Sequence, residues 1–361
     1  MTKHIIIDAR VCDGHIHGIS RVSEQFIYNI LDLDSSNRYT VLCPNDYPRE
    51  KFPKKESITY LDAPIPLYSI KEQWAVWRLA RSLNPDLFHC PTFTAPLFAG
   101  FPVAVNIHDL IPVVYPELFP FKYKVYYNTF VPRICRKAVR IFTSSNGSKQ
   151  DIMRFYGITE DKITVVYNSA YSPNDTIEPY VAESVYPDYV IFVGNQMPHK
   201  NFIRAAQAFD IARKRLGNKN ITMVTVGISE DFFRQSQVGG LENIVCLPYL
   251  SPGKLQSVYK GAGVMLFPSL YEGFGIPPLE AMSFEVPVIS SNCSCMPEVL
   301  GDAYLSVDPL DVEQMAHALH SLYTDEKLRA SLIAKGIKQV AKYSWRESAR
   351  KILGVYGEIL S

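Results

Sequence analysis

Short apolar runs alternate with segments of helical spacing along the whole chain, and this alternation limits the fold more than any other feature. Strands are predicted, in chain order, at residues 5–8, 39–43, 86–89, 103–107, 140–143, 163–167, 189–193, 221–226, 244–247, 264–267, 288–290 and 303–307. Helices are predicted at residues 20–33, 70–83, 202–216, 252–260, 278–284, 312–323 and 326–341. Strands that alternate with helices form βαβ units. The sequence therefore predicts an α/β fold with parallel sheets.

The chain is long enough for two domains, since 361 residues exceed the roughly 100–200 that one domain commonly uses. The strand–helix alternation occurs in both halves, which predicts two doubly wound domains in tandem. Between the halves, residues 171–188 contain three prolines among polar residues and are predicted to be a linker. The predicted domains are therefore 1–170 and 189–344.

Composition excludes several classes of protein. The formal net charge of +1 and the pI of about 7.6 argue against a nucleic-acid partner. No run of about 18 apolar residues is present, so no membrane span is predicted. The chain enters a strand within its first eight residues, so we expect no signal peptide. A cytoplasmic location is therefore expected. The seven cysteines are scattered and are expected to be reduced.

Two common nucleotide-binding motifs are absent. No G-x-G-x-x-G follows the first strand, and no G-K-[ST] phosphate loop or H-E-x-x-H zinc motif occurs. A dehydrogenase fingerprint, a P-loop and a zinc-protease site are thus excluded.

The most informative stretch is residues 267–282, in which a strand ends, a Gly-containing loop follows, and a helix begins near Pro277 or Pro278. Open α/β sheets bind ligands at the carboxyl ends of their strands. Backbone N–H groups at such a helix start favour phosphate oxygens. Gly273 and Gly275 would let the backbone approach that ligand closely.

Two carboxylates, Glu272 in the loop and Glu280 in the helix, lie eight positions apart in this stretch. Both could face one crevice and hold different parts of a ligand. From spacing alone, a second interpretation stays open, in which Glu280 only complements the helix dipole.

This stretch, S-x-x-E-G-F-G-I-P-P-L-E-A-M, resembles the signature of retaining glycosyltransferase family 4. Further segments resemble the family in the same order, at residues 18–21, 108–112, 143–149, 163–168, 193–201 and 296–303. The resemblance implies the GT-B architecture, with two Rossmann-like doubly wound domains facing a central cleft that holds a nucleotide-sugar. The last helix, about 345–361, would cross back onto the first, acceptor-side domain.

The resemblance assigns roles to matching positions of the second domain. Glu280 would bind the donor ribose, Glu272 would act at the transferred sugar, and Lys200 would neutralise the diphosphate. The loop residues expected to contribute backbone contacts to the donor are Gly273, Phe274, Gly275 and Ile276. The family often has a second cation beside the lysine. Here His199 takes that position, and Asn195 stands where some relatives have Arg, so both are candidate diphosphate contacts.

In the first domain, Gly18 would approach the phosphates and Arg21 is a third candidate diphosphate contact. His108 would touch the donor sugar, with its carbonyl near developing positive charge. Without the resemblance, His108 would be interpreted as a hydrogen-bonded core or loop histidine, and Lys200 and Arg21 as surface residues.

The reaction implied is transfer of a sugar, with retention, from a nucleotide-diphospho-sugar to a hydroxyl of a glycan or lipid-linked acceptor. Because relatives stabilise the leaving group with lysine and helix N–H groups, no metal and no cofactor are expected. The H-D-L-I-P form of residues 108–112 resembles bacterial mannosyltransferases of polysaccharide and O-antigen assembly, which favours GDP-mannose; UDP-sugars stay open. A GT-B epimerase and a catalytically silent nucleotide-sugar-binding subunit are the alternatives.

Residues 119–140 interleave basic and aromatic side chains. A basic, aromatic helix can lie on an anionic membrane, which would place the protein at the inner face of the membrane. The alternative is a solvated face over an aromatic core stripe.

Overall fold

The computed structural model describes residues 2–12, 18–45, 47, 49–67, 70–170, 177–178, 180, 189–217 and 220–361. The chain divides into two compact units, one formed by Met1–Asn168 with Ser344–Ser361 and the other by Ser169–Tyr343. Each unit is built on a parallel sheet, so the predicted α/β class is confirmed. The linker predicted at 171–188 lies almost entirely outside the described residues.

The first unit contains a seven-stranded parallel sheet with the order β3-β2-β1-β4-β5-β6-β7. Its strands are β1 (His4–Asp8), β2 (Arg38–Cys43), β3 (Ile58–Asp62), β4 (Leu87–Cys90), β5 (Val103–Asn106), β6 (Arg140–Thr143) and β7 (Ile163–Val165). The strand order reverses between β1 and β4, where Ile6 pairs with both Thr40 and Phe88. Such a reversal opens a crevice at the carboxyl edge of the sheet.

One strand of this sheet, β3, is absent from the sequence prediction. It lies at the sheet edge, and of its five residues only Ile58 is buried. Because an edge strand is only partly covered, its side chains need not all be apolar. It therefore lacks the continuous apolar run by which the other strands are recognised.

The helices of the first unit before the linker are α1 (Gly18–Leu33), α2 (Ile70–Leu83), α3 (Ile111–Val114), α4 (Phe121–Lys137) and α5 (Asn146–Tyr156). Right-handed crossovers place α2, α4 and α5 on one face of the sheet and α1 on the other. Val76 of α2 and Val131 of α4 accordingly share one buried cluster with Val105 of β5.

Helix α4 covers most of the basic aromatic segment 119–140. Tyr127 and Ile134 belong to its buried stripe, whereas Phe121 at its start is 79% exposed. The segment thus has both a core-facing side and an exposed aromatic end, and membrane contact through it stays a prediction. Within the described part of the chain, no helix has the length and apolarity needed to cross a membrane.

The second unit contains a six-stranded parallel sheet with the order β10-β9-β8-β11-β12-β13. Its strands are β8 (Tyr189–Val193), β9 (Thr222–Val226), β10 (Ile244–Leu247), β11 (Val264–Phe267), β12 (Val288–Ser291) and β13 (Tyr304–Val307). Its helices are α6 (Phe202–Arg215), α7 (Glu230–Gln235), α8 (Pro252–Lys260), α9 (Ile276–Ser283), α10 (Met296–Leu300), α11 (Val312–Thr324) and α12 (Glu326–Val340). Here the strand order reverses between β8 and β11. Strand β11 precedes the motif loop, residues 268–275, which leads into α9.

The last helix, α13 (Trp345–Leu360), belongs to the first unit. The Ser344 side chain caps its start by accepting a hydrogen bond from the Glu347 N–H. Trp345 packs edge-on against Phe26 of α1, with ring centroids 5.2 Å apart. The Ser348 hydroxyl donates to the Tyr167 carbonyl at 2.6 Å. The chain therefore leaves the first unit, builds the second, and returns.

A buried histidine connects this last helix to the sheet. His89 Nε2 donates to Asn106 Oδ1 at 2.7 Å, and Nδ1 accepts a hydrogen bond from the Tyr356 hydroxyl. Burial lowers the pKa of His89 from 6.5 to about 4. The imidazole is therefore neutral in the folded protein at neutral pH and takes up a proton more readily once the chain unfolds.

Acid should destabilise the protein because of this histidine. Below pH 6.5 the unfolded chain binds a proton at His89 that the folded chain does not bind until about pH 4. The free energy of unfolding should thus fall across that window, with about 3 kcal/mol due to His89. Urea unfolding at a series of pH values measures this.

The substitution His89→Gln keeps a donor and an acceptor in place. It should remove the part of the pH dependence of the unfolding free energy that is assigned to His89. His317→Gln, at an exposed position of α11, is the control and should leave the dependence unchanged. Equal pH dependence in both variants would contradict the assignment.

Candidate active site

The loop between β11 and α9 carries the first of the two predicted carboxylates. Glu272 is 8% exposed. Its N–H donates to Ser294 Oγ at 3.1 Å, and the Ser294 hydroxyl donates back to the Glu272 carbonyl at 2.7 Å. The Cys295 thiol lies 3.1 Å from the same carbonyl. The segment after β12 thus fixes the backbone of Glu272.

Lys200 and Glu272 form an ion pair. Lys200 Nζ lies 2.6 Å from Glu272 Oε1, and the two side chains are 17% and 10% exposed. Nζ also lies 5.6 Å from the centre of the Phe267 ring. Because water is largely excluded, this pair interacts more strongly than a pair on the surface. The fold thus brings together two predicted site residues that are 72 positions apart in sequence.

Asn201, which the sequence interpretation did not single out, holds this arrangement together. Its backbone is left-handed, with φ of +63°. Its side-chain Nδ2 donates to the carbonyls of Pro268 at 3.0 Å and Pro309 at 2.6 Å. Two residues earlier, the His199 carbonyl accepts the Leu270 N–H at 2.7 Å. These bonds join the turn that carries Lys200 to the loop that carries Glu272.

The only sequence signal for this role is the pair Lys-Asn directly before a helix. Asn tolerates the left-handed conformation better than most residues do. That signal predicts a turn, but it does not identify which loops the side chain will join.

His199 is buried and neutral. Burial, and secondarily the charge of Lys200, lower its pKa from 6.5 to about 4. No described residue partners its Nδ1. Asn195, the other candidate at this end of β8, accepts the Met197 N–H at 3.1 Å through Oδ1 and so closes a tight turn. A neutral ring cannot supply the second cation that the family often has here. Contact of either residue with a diphosphate stays a prediction.

Glu280 is 1% exposed, and its Oε2 accepts a hydrogen bond from the Tyr259 hydroxyl at 2.9 Å. It is the fifth residue of α9, which begins at Ile276, one residue before Pro277, near which the sequence predicted a helix start. Glu280 and Glu272 are therefore both held in place, one by a phenol and the other by an ammonium group.

Gly275 is the residue that allows α9 to begin at Ile276. Its φ is +81°, and a Cβ there would lie 2.3 Å from Met296 Cε, so only glycine fits without displacement. Pro277 and Pro278 follow and have no N–H. Backbone donors at this helix start therefore come from Ile276 and the preceding loop, which contains the predicted positions Gly273 and Phe274.

His108 follows β5 in the first unit. Its Nε2 donates to the Pro91 carbonyl at 3.0 Å, and burial lowers its pKa. Its own carbonyl accepts the hydroxyls of Ser144 at 2.8 Å and Ser148 at 3.0 Å. The ring is therefore neutral, and the carbonyl already has two donors. Its contact with a donor sugar stays a prediction.

Gly18 and Arg21 occupy the first turn of α1. Gly18 is exposed, and no described heavy atom lies within 4 Å of where its Cβ would be. Packing against the described residues thus gives no reason for glycine there. The phosphate contacts of Gly18 and Arg21 stay predictions.

A buried ion cluster at the carboxyl end of β1 also escaped the sequence interpretation. Arg10 Nη2 lies 2.6 Å from Asp8 Oδ2 and 2.9 Å from Glu72 Oε1, and all three side chains are at most 2% exposed. Arg10 Nη1 donates to the Ile65 carbonyl at 2.9 Å. The D-x-R spacing at the end of a strand was the available sequence signal for an ion pair. The second carboxylate, Glu72 on α2, is distant in sequence and could not be inferred from that spacing.

Among the described residues, no group of three or more His, Cys, Asp or Glu side chains is arranged to hold a metal ion. Independence from metals stays a prediction about the reaction.

Two family models together match most of the chain. The model described as Glycosyltransferase Family 4 matches residues 29–170, and the one described as Glycosyl transferases group 1 matches residues 174–339. The family resemblance seen in the motifs is thereby confirmed.

Curated relatives include two mannosyltransferases. The O-antigen chain mannosyltransferase B of Escherichia coli is 30% identical over 302 residues, covering 80% of this chain and 78% of that protein. The O-antigen chain mannosyltransferase RfbU of Salmonella typhimurium strain LT2 is 28% identical over 294 residues, with the same coverage of each chain.

Among solved structures, Anabaena Alr3699/HepE in complex with UDP and glucose matches with a TM-score of 0.74 and 15% identity, covering 99% of this chain and 100% of that one. At this identity the likeness shows the fold alone. With the two parallel sheets, it confirms the predicted GT-B fold.

The substitution Asn201→Gly tests whether the Asn201 amide positions Lys200 and Glu272 for a ligand. Glycine keeps the left-handed backbone but removes the amide, leaving two buried carbonyls without their donor. We expect the free energy of unfolding to fall by about 2 kcal/mol and the affinity for a nucleoside diphosphate to fall about tenfold. Calorimetric titration and urea unfolding measure the two effects.

Asn84→Gly is the matched control, because Asn84 is also left-handed, with φ of +46°, but is exposed and lies in the first unit. It should change neither quantity appreciably. Unaltered nucleotide affinity in Asn201→Gly would show that Asn201 does not position the site.

Proposed function

Because the chain belongs to glycosyltransferase family 4, we propose that it transfers mannose from GDP-mannose, with retention of the anomeric configuration, to a hydroxyl group of a glycan or lipid-linked acceptor. That it is a glycosyltransferase follows from its relatives. The donor, the stereochemistry and the acceptor are the proposal.

The observation that carries the proposal is the contact between Lys200 and Glu272 at the carboxyl edge of the second sheet. A nucleotide-sugar presents a diphosphate next to the sugar that is transferred. An ammonium group and a carboxylate held 2.6 Å apart suit those two neighbouring groups. Glu280 would take the paired hydroxyls of the ribose, since a carboxylate can accept two hydrogen bonds.

The chemical step separates charge, and Lys200 is placed to stabilise it. The bond from the anomeric carbon to the diphosphate breaks, and a bond to the acceptor oxygen forms on the same face. The acceptor proton leaves with the departing diphosphate. Negative charge grows on that diphosphate, where a fixed cation and backbone N–H groups stabilise it electrostatically. We propose that this replaces a metal ion.

In this proposal Glu272 orients the sugar and stabilises positive charge at the anomeric carbon without a covalent bond to it. Because its backbone is fixed by Ser294 and its carboxylate by Lys200, its position is set before the donor arrives. A glycosyl ester on Glu272, detected by mass spectrometry during turnover, would show instead that Glu272 is a nucleophile.

Support for mannose comes from the two bacterial relatives, which are named as mannosyltransferases, and from the form of residues 108–112, whose resemblance to mannosyltransferases favours GDP-mannose as the donor. The Anabaena structure contains UDP, which makes a uridine donor the alternative.

Lys200→Met should lower kcat/KM by about 10²–10³-fold because it removes the cation but keeps the length of the side chain. Lys214→Met is the matched control: Lys214 is 66% exposed and pairs with Asp210 on α6. Release of GDP in the presence of acceptor measures turnover, with and without EDTA, and equal rates in both are expected.

Three results would contradict parts of this proposal. Full activity in Lys200→Met would remove the assigned role of the lysine. Loss of activity in EDTA would show a metal requirement. Conversion of the donor to another nucleotide-sugar without acceptor would favour an epimerase.

The nucleotide can be identified by thermal unfolding. A ligand that binds the folded state raises its apparent stability by RT ln(1 + [L]/Kd). We expect GDP and GDP-mannose to raise the unfolding temperature and UDP to have little effect at the same concentration. The reverse order would favour a uridine donor, with the family assignment unaffected.

A further inference from the structure

The first unit has an exposed surface that combines aromatic rings with cations on α2, on the loop before β5 and at the end of α4. We call it the aromatic–basic surface, and its residues are Lys71, Trp74, Trp77, Arg78, Arg81, Phe98 and Lys137. Trp74 is 63% exposed and Phe98 66%, which is unusual for side chains of this size.

One face of α2 supplies most of this surface. Its inward face contains Val76 and Ala80, both fully buried. Its outward face recurs at helical spacing and is exposed throughout, with Lys71, Trp74, Arg78 and Arg81. Glu72 adds no charge outside, because it is buried against Arg10.

Phe98 is held in its exposed position by two side chains. The Leu97 N–H donates to Gln73 Oε1 on α2 at 2.9 Å, and the Leu97 carbonyl accepts from Lys137 Nζ on α4 at 2.9 Å. The loop is therefore fastened to the helices on both sides. Phe98 projects because its loop is anchored.

The rings form one cluster, and each edge of the cluster has a cation. Trp74 stacks on Phe98 with centroids 6.4 Å apart and meets Trp77 edge-on at 5.7 Å. Lys137 Nζ lies 4.8 Å from the centre of Phe98, and the Arg81 guanidinium lies 5.2 Å from that of Trp77. Large exposed apolar patches that are bordered by polar or charged residues often mark sites that bind a protein or a membrane.

We propose that the aromatic–basic surface docks on an anionic lipid bilayer. Tryptophan and phenylalanine rings partition into the headgroup region, while lysine and arginine remain at the level of the phosphates. Four cations border the rings. One acidic side chain, Asp86, lines the recess beside Phe98, and its carboxylate accepts the His4 N–H at 2.7 Å. The charge balance thus favours an anionic partner.

This surface shares Lys137 with the segment 119–140, on which the basic aromatic sequence had placed membrane contact, but it does not include the amino end of α4. Phe121, Lys122 and Tyr123 are exposed there, and Lys122 Nζ lies 5.2 Å from the centre of the Tyr123 ring. Both of those residues lie on the same helix, whereas Lys137 fastens a ring on a separate loop. The two locations can be separated by mutation. The inference does not depend on the donor or acceptor proposed above.

The test is co-sedimentation of the full chain with vesicles of phosphatidylcholine and phosphatidylglycerol in equal parts, and with vesicles of phosphatidylcholine alone. We expect binding to the mixed vesicles and little to the neutral ones. The double substitution Trp74→Ala with Phe98→Ala should weaken the binding at least about tenfold. Arg78→Gln with Arg81→Gln should do so by a similar factor. Lys122→Gln with Lys124→Gln, at the amino end of α4, is the matched control and should bind like the unmodified protein.

Thermal unfolding and GDP-induced stabilisation check that each variant is folded, and the substituted side chains are exposed enough for both to be retained. Loss of vesicle binding in the α4 variant alone would overturn the proposal in favour of that segment. Failure of the unmodified protein to sediment with anionic vesicles would also overturn it and would make an acidic protein the occupant to seek. Equal binding to neutral vesicles would refute the role given to the cations.

Discussion

The ion pair between Lys200 and Glu272 is the interaction on which the second unit's candidate site depends. Bringing an ammonium group and a carboxylate out of water costs free energy, and their attraction repays it only when the geometry is good. The surrounding backbone supplies that geometry. Asn201 in a left-handed conformation joins the two segments, and Ser294 holds the Glu272 backbone from the opposite side.

The residue that precedes Lys200 adds no charge to this ion pair. His199 is buried and neutral, so its ring does not place a second positive charge beside Lys200. An arginine in its place would bring a second cation, which a bound diphosphate would have to balance. In the proposed reaction, Lys200 and backbone N–H groups would therefore stabilise the diphosphate without a charge from His199.

The strand–helix alternation was enough to predict the fold class and most strands, because buried parallel strands are continuous apolar runs. It failed at β3, where an edge position leaves most side chains partly exposed. The stretch 267–282 was readable because its chemistry is local: glycines, two carboxylates and prolines within sixteen residues. Asn201 and the Arg10 cluster were not, because their partners are brought close only by the folded chain. Tertiary hydrogen bonds of a single polar side chain leave no periodic trace in sequence.

The return of α13 to the first unit has a consequence for synthesis on the ribosome. The second unit is one continuous stretch of chain, so it can complete its core as soon as Tyr343 has emerged. The first unit begins earlier but cannot finish, because Phe26 and His89 stay without Trp345 and Tyr356 until α13 has been synthesised. The half of the protein made first is thus the half completed last. A nascent chain that stalls after Tyr343 has emerged but before α13 has emerged would carry an open amino-terminal core and a finished carboxyl-terminal one, a target for chaperones and proteases.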